Sequence, residues 1–135
     1  LAMPFLGGDT LEAPEFIEIG GKDVEGVYFS THYSADAPIT PASEEFVALY
    51  KSEFNKQPNT FAALGYDCYM LVLDAIEKAG VVDPVAIRDT MAKTKDFVGA
   101  TGIITLDANG DATKSAVVLQ VQDGEFKLVD VVHPR

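Results

Sequence analysis

Tryptophan is absent from the 135 residues, and cysteine occurs only once, as Cys68. A single cysteine excludes a disulfide within the chain, and its place in an apolar helical run predicts a small buried side chain. The two histidines, His32 and His133, have no cysteine or carboxylate at the spacing of a metal site. Since the sequence also lacks a glycine-rich phosphate loop, we expect neither a metal ion nor a cofactor.

Basic residues are scarce. Lysine and arginine together number 10 against 21 aspartates and glutamates, which gives a formal net charge of −11. A chain this acidic repels a phosphate backbone. The charge balance therefore predicts no nucleic-acid partner and is typical of a solvated acidic surface.

Long apolar runs are also missing, because no stretch approaches the roughly 18 residues that cross a bilayer. Residues 1–8 are apolar, but they lack a basic segment and a cleavage site of small residues. We expect them to form an interior strand rather than a signal peptide. A chain that starts on a core strand is expected to be a piece of a longer protein.

Catalytic motifs are not found. The serines lack the sequence context of a nucleophile elbow, and no triad pattern is recognisable, so the sequence predicts a protein that is not an enzyme. Asp107, Asn109 and Asp111 alternate like the start of a calcium loop. Glycine stands fourth there instead of sixth, and Val118 occupies the twelfth position that glutamate should fill. This segment is predicted to be a plain turn.

The first third of the chain predicts two strands and a short helix. Residues 3–6 have the composition of a short buried strand, and residues 24–33 that of a longer one. Between them, Pro14 suits the first turn of a helix. Its inward side chains are expected to be Phe16, Ile17 and Ile19.

The middle of the chain is helical. The pairs Thr40-Pro41 and Asp83-Pro84 have the residue types of a helix cap followed by the first helical position. The longest helix is expected at residues 60–79. Because apolar residues cover most of its faces, we expect this helix to be buried against more than one element.

The last third predicts strands at residues 101–106, 115–121 and 125–132. The dipeptide Asp123-Gly124 indicates a tight hairpin between the last two. The order of elements therefore predicts an α/β protein with a small antiparallel addition at its C-terminal end.

Two residues stand at element ends where a ligand site can form. Asp9 follows the first predicted strand, and in open α/β sheets ligands bind at the carboxyl ends of strands. Its carboxylate suits a cationic group such as an ammonium, with a simple turn cap as the alternative interpretation. Phe61 opens the longest helix, at a place where a cleft can form.

The sequence resembles the leucine/isoleucine/valine-binding protein family over nearly all of its length. The matching pieces occur in the family's order and spacing, and together they are fairly specific. They are residues 5–9, 24–29, 46–50, 58–67, 75–80, 97–102, 106–111 and 118–121.

This resemblance implies part of a type I periplasmic-binding-protein fold, which has two flavodoxin-like α/β lobes joined by three hinge crossovers. The chain then corresponds to the C-terminal part of such a protein. Residues 1–27 are expected to end the second lobe and residues 28–114 to return to the first. Residues 115–135 are expected to form the final crossover and antiparallel strands of the second lobe. The crossovers are expected at residues 24–33 and 115–121.

The resemblance also implies site residues. An acidic residue at the position of Asp9 holds the α-ammonium of the ligand in this family, and an aromatic residue at the position of Phe61 lines the pocket. Thr10, next to Asp9, is a further candidate. The groups that hold the ligand carboxylate belong to an earlier part of the family's chain.

The function implied is that of a substrate-binding component of an ABC transporter for branched-chain or other amino acids. Closure of the hinge on a small ligand would allow docking on a membrane permease. The location implied is periplasmic or extracellular, with a lipid-anchored or secreted parent.

Three alternatives stay open on the sequence. The same fold serves as a ligand-sensing receptor or regulatory domain. An enzyme of flavodoxin-like architecture would need a nucleophile, base or cofactor loop at a strand end, and none is found. A chain with parts of two lobes is also expected to expose apolar faces, which allows a domain-swapped or self-paired dimer.

Overall fold

The computed structural model describes residues 3–134 of the chain. Two short 3-10 turns, Asp9–Leu11 and Gly21–Val24, flank the first helix. The helices and strands are β1 (Leu6–Gly7), α1 (Pro14–Gly20), β2 (Tyr28–Thr31), α2 (Pro41–Phe54), α3 (Thr60–Ala79), α4 (Pro84–Met91), β3 (Phe97–Gly99), β4 (Gly102–Leu106), β5 (Ala112–Thr113), β6 (Ala116–Gln122) and β7 (Glu125–Val132).

The strands form two sheets. The first has the order β1-β2-β6-β7, with β1 parallel to β2 and the other pairs antiparallel. The second is antiparallel and has the order β3-β4-β5. The three consecutive helices α2, α3 and α4 lie in the chain between these sheets. This mixed architecture confirms the predicted α/β class with antiparallel strands at the C-terminal end.

The helix boundaries follow from local chemistry. The Thr40 hydroxyl accepts a hydrogen bond from the Ser43 N–H at 3.0 Å, and Ser43 reciprocates toward the Thr40 N–H, which forms a capping box. Asp83 caps α4 through the Ala86 N–H at 2.9 Å. At the C-terminal end of α3, Gly80 has a left-handed backbone with φ of 67°, which glycine adopts at little cost. The predicted caps at Thr40 and Asp83 are therefore confirmed.

The C-terminal hairpin is also as predicted. Asp123 and Gly124 both have positive φ, 54° and 72°, as the tight turn between twisted antiparallel strands requires. The Glu25 carboxylate accepts the Asp123 N–H at 2.7 Å and fixes this turn against the segment that precedes β2.

Two buried clusters form the interior. In the first sheet Phe29 of β2 packs with Val117 and Leu119 of β6. The second cluster joins Tyr33, Phe46, Ala63 and Ala100, which come from the segment after β2, from α2, from α3 and from the segment before β4. The chain thus leaves the first sheet after Thr31 and enters the second cluster within two residues.

The prediction of a buried strand at residues 3–6 was wrong. The strand is Leu6–Gly7, it pairs only with β2 within the described residues, and Leu6 is 74% exposed. The second strand is also shorter than predicted, since Gly21–Val24 forms a 3-10 turn and Gly26 has a φ of 80°. An apolar composition predicts a strand without revealing which neighbours it has.

The burial of α3 was overestimated. One stripe of this helix, including Ala63, Leu71 and Ala75, is buried, whereas Cys68 and Tyr69 are exposed. Ile19 of α1 is exposed as well, against expectation. Helical spacing identifies the apolar face of a helix, but it does not show which element packs on that face.

Candidate ligand-binding site

Asp9 lies where two parallel strands end. Register pairs Leu6 with Tyr28 and Gly7 with Phe29, so the carboxyl ends of β1 and β2 lie side by side. Asp9 follows the first strand and His32 the second, and Asp9 Oδ2 lies 3.3 Å from His32 Nε2. Both side chains are about two-fifths exposed, at 40% and 44%. A carboxylate is therefore held at a strand-end edge and remains open to solvent on one side.

The turn that carries Asp9 is held by close packing. A Cβ on Gly7 would lie 2.2 Å from Leu11 Cδ1, so a side chain at this position would displace the end of the Leu11 side chain from its place over β1. Leu11 packs against the buried cluster around Phe29. The Glu12 N–H closes the turn by donating to the Asp9 carbonyl at 3.0 Å. The backbone at Asp9 is therefore held by this hydrogen bond and by the packing of Leu11.

The other two predicted site residues lie on exposed surface. Thr10 is exposed beside Asp9 in the same turn. Phe61 is the second residue of α3, and its ring is 52% exposed although Thr60 before it is fully buried. The start of α3 is fixed by Asn59, whose side chain accepts the Ala62 N–H at 2.9 Å. Phe61 therefore stands at the tip of a well-anchored helix.

Glu12 is a residue that the sequence did not identify. Its Oε2 accepts the Thr31 hydroxyl at 2.5 Å, and its Oε1 accepts the Thr60 N–H at 3.2 Å. Burial raises the pKa of Glu12, while the bonds from Thr31 and Thr60 act in the opposite direction. Partners so distant in the chain leave no local signal. Glu12 connects the Asp9 turn, the end of β2 and the start of α3.

His32 was considered in the sequence as a metal ligand, and its spacing argued against that role. The structure brings its imidazole against Asp9, so His32 belongs to the same cluster of side chains. A cationic ligand that pairs with Asp9 would have to compete with this contact.

A buried carboxylate stands on α3, outside the cluster of Asp9 and His32. Asp67 of α3 is 2% exposed and accepts the N–H groups of Ala100 at 2.6 Å and Thr101 at 2.8 Å. The half-buried Lys114 donates to the carbonyls of His32 and Thr101, each at 3.3 Å, and to the Thr101 hydroxyl. These bonds tie together the segment that leaves the first sheet and the one that returns to it.

Lys114 makes stability depend on pH. Burial lowers the pKa of Lys114 to about 8, with Asp67 opposing the shift. Between pH 8 and the pKa of about 10.4 of a free lysine, the unfolded chain binds more protons at this residue than the folded chain. The free energy of unfolding contributed by Lys114 therefore rises with pH across this window. Urea unfolding at pH 7.5 and 9.5 should show that the wild-type chain gains stability relative to Lys114→Met. An equal response of both proteins would contradict this.

Residues 3–134 contain no group of three histidine, cysteine or acidic side chains placed to hold a metal ion. The segment at Asp107 is a turn, as predicted, because its carboxylate accepts the N–H groups of Asn109 at 2.8 Å and Asp111 at 2.9 Å. These bonds lower the pKa of Asp107.

None of the helices in residues 3–134 has the length and hydropathy to cross a membrane.

Comparison with solved structures defines the class of protein. A leucine-binding protein from Thermotoga maritima is 47% identical with a TM-score of 0.93, and the match covers 99% of this chain and 38% of that one. A branched-chain amino acid transporter substrate-binding protein from Streptococcus pneumoniae, solved with isoleucine, is 32% identical with a TM-score of 0.85, over 97% and 37% of the two chains. The architecture is therefore part of a type I periplasmic-binding-protein fold, as the sequence predicted.

Residues 2–125 match the family model described as periplasmic binding protein. The chain belongs to this family. A curated relative, Leu/Ile/Val-binding protein homolog 2 from Brucella abortus, is 25% identical over 130 residues, which are 93% of this chain and 34% of the relative. The predicted resemblance is thus confirmed, and the chain spans about a third of the length of the curated relatives it matches.

Proposed function

We propose that this chain is part of the substrate-binding component of an ABC transporter for branched-chain or other amino acids. The observation that carries the proposal is the Asp9 carboxylate, which the paired ends of β1 and β2 hold at an open edge with a single histidine as partner. A short charge-assisted hydrogen bond from an α-ammonium would replace the longer His32 contact. Of the two similar solved proteins, one is a leucine-binding protein and the other was solved with isoleucine, and both support this assignment.

The rest of the site follows from Phe61 and Thr10. The half-exposed ring of Phe61 offers apolar surface for the side chain of the ligand, and Thr10 is a second polar group beside Asp9. Groups for the ligand carboxylate are expected from a part of the parent protein that precedes this chain. Covalent chemistry plays no part in this function.

The mechanism we propose is hinge closure. Residues 1–27 would end the second lobe, residues 28–114 would return to the first, and residues 115–135 would form the last crossover and the final strands. The antiparallel pairing of β2 with β6, from Tyr28 with Gln120 to Thr31 with Val117, supports two adjacent crossings. A ligand that contacts both lobes would stabilise the closed state.

The partner of the closed state would be an ABC permease in the membrane, and the place of action would be the periplasm or the cell exterior. A lipid-anchored or a secreted parent protein would both serve this role. The similar branched-chain amino acid transporter substrate-binding protein from Streptococcus pneumoniae supports the permease partner.

Titration calorimetry of the purified chain tests the proposal. L-Leucine, L-isoleucine and L-valine are compared with 4-methylpentanoate, which keeps the leucine skeleton and carboxylate but lacks the amino group. Binding of an L-amino acid with at least about tenfold weaker binding of the amine-free analogue, a difference of about 1.4 kcal/mol, would support an ammonium site. Equal affinities would contradict it.

A self-paired dimer also remains a prediction. Exposed apolar side chains on α3, including Tyr69, Val72 and Leu73, support it because they present surface that a second copy can cover. Light scattering across a concentration series should show a rising mass, and a constant monomer mass would exclude the dimer.

A further inference from the structure

Glu12 joins three segments that lie far apart in the chain. Its carboxylate accepts the Thr31 hydroxyl at the end of β2 and the Thr60 N–H at the start of α3. The Thr31 hydroxyl also lies 3.2 Å from the Thr60 hydroxyl. Thr31 and Thr60 are 2% and 0% exposed. Buried hydrogen bonds of this kind resist rearrangement, because breaking them leaves polar groups without partners.

Both ends of this connection lead to proposed ligand contacts. On one side, the Glu12 N–H donates to the Asp9 carbonyl and closes the Asp9 turn. On the other side, Thr60 directly precedes Phe61. His32, the partner of Asp9, directly follows Thr31. Glu12 therefore bonds to Asp9 itself and to Thr31 and Thr60, the residues next to His32 and Phe61.

We propose that Glu12 is a positioning residue that fixes the start of α3, and with it Phe61, at a set location relative to Asp9. The inference rests on the proposed function, since it assigns Glu12 the spacing between an ammonium contact and a side-chain contact. Glu12 selects among amino acids by the size of their side chains and does not itself touch the ligand.

The chemistry of the site favours a side chain that accepts from two directions. The N–H groups at the start of a helix attract a carboxylate, and burial of the charge opposes this attraction. Glutamine at this position keeps one oxygen for the Thr60 N–H, and its amide nitrogen can donate to the Thr31 hydroxyl oxygen. Alanine removes both bonds. The pair of variants therefore separates geometry from charge.

The test measures the affinities of L-leucine and L-alanine for the wild-type chain, Glu12→Ala, Glu12→Gln and the control Glu15→Ala, an exposed glutamate on α1. In Glu12→Ala the leucine-to-alanine affinity ratio is expected to fall about tenfold, because a displaced Phe61 affects only the large side chain. Glu12→Gln changes the charge beside Asp9 for both ligands alike, so its ratio should stay within about twofold of wild type. Glu15→Ala should match wild type.

Amide hydrogen exchange of Thr60 provides the structural readout. Glu12→Ala should expose the Thr60 N–H and accelerate its exchange, with Glu12→Gln remaining close to wild type. An unchanged affinity ratio in Glu12→Ala, or unchanged Thr60 exchange, overturns the positioning role. Equal wild-type affinities for L-leucine and 4-methylpentanoate overturn the proposed ammonium site instead, and that outcome is distinguishable because it is seen before any substitution is made.

Discussion

Replacement of Asp67 with alanine is expected to lower the free energy of unfolding by about 3 kcal/mol. The Asp67 carboxylate is buried and accepts the N–H groups of Ala100 and Thr101. A hydrogen bond to a charged group contributes about 1.5–3 kcal/mol, and a buried donor left without a partner costs about as much. The fit is tight, since a Cβ on Gly99 would lie 2.7 Å from Asp67 Oδ2. Alanine in place of Asp67 would leave the N–H groups of Ala100 and Thr101 without acceptors.

Urea unfolding measures this effect, and Asp74→Ala is the matched control on the same helix. Asp74 pairs with Lys78 one turn further along, and both side chains are partly exposed. Pairs of this kind contribute about 0.5 kcal/mol. Similar losses in the two variants would show that Asp67 does not hold the second sheet to α3.

Replacement of Asp9 with asparagine is expected to weaken binding of an L-amino acid about 100-fold, because loss of one partner in a desolvated charge pair costs several kcal/mol. Asparagine keeps the size of the side chain and removes its charge. His32→Ala is the informative companion, since it removes the group that competes for Asp9. Its affinity should equal or exceed that of wild type.

Titration calorimetry of the wild-type chain, Asp9→Asn and His32→Ala measures these affinities. Wild-type affinity in Asp9→Asn would exclude an ammonium contact at this carboxylate. A loss of affinity in His32→Ala as large as in Asp9→Asn would indicate that the two residues bind the ligand as a unit. That result would contradict a competition between His32 and the ligand for the Asp9 carboxylate.

Local signals in the sequence predicted the elements that depend on local chemistry. Thr40-Pro41 and Asp83-Pro84 start helices, and Asp123-Gly124 turns the hairpin, because caps and tight turns need particular residues at particular backbone angles. The same reasoning missed the short strands β3 and β5. Strands of three and two residues have no period long enough to recognise.

Contacts between distant segments were beyond the reach of these patterns. Asp9 was identified because it follows a strand and because the chain resembles a known family. Glu12 stands three residues later, and its bonds to Thr31 and Thr60 arise only when β2 and α3 are brought together. The exposure of Leu6 and Cys68 was missed for a related reason. Apolar spacing predicts which face of an element is buried, but it does not show which other element buries that face.

The most direct test of the central claim is a crystal structure of the chain with L-leucine. We expect the ammonium nitrogen within about 3 Å of an Asp9 carboxylate oxygen, the leucine side chain against the Phe61 ring, and His32 Nε2 moved away from its present distance of 3.3 Å. Leucine bound with its ammonium remote from Asp9, and with the contact between Asp9 and His32 intact, would contradict the proposed site.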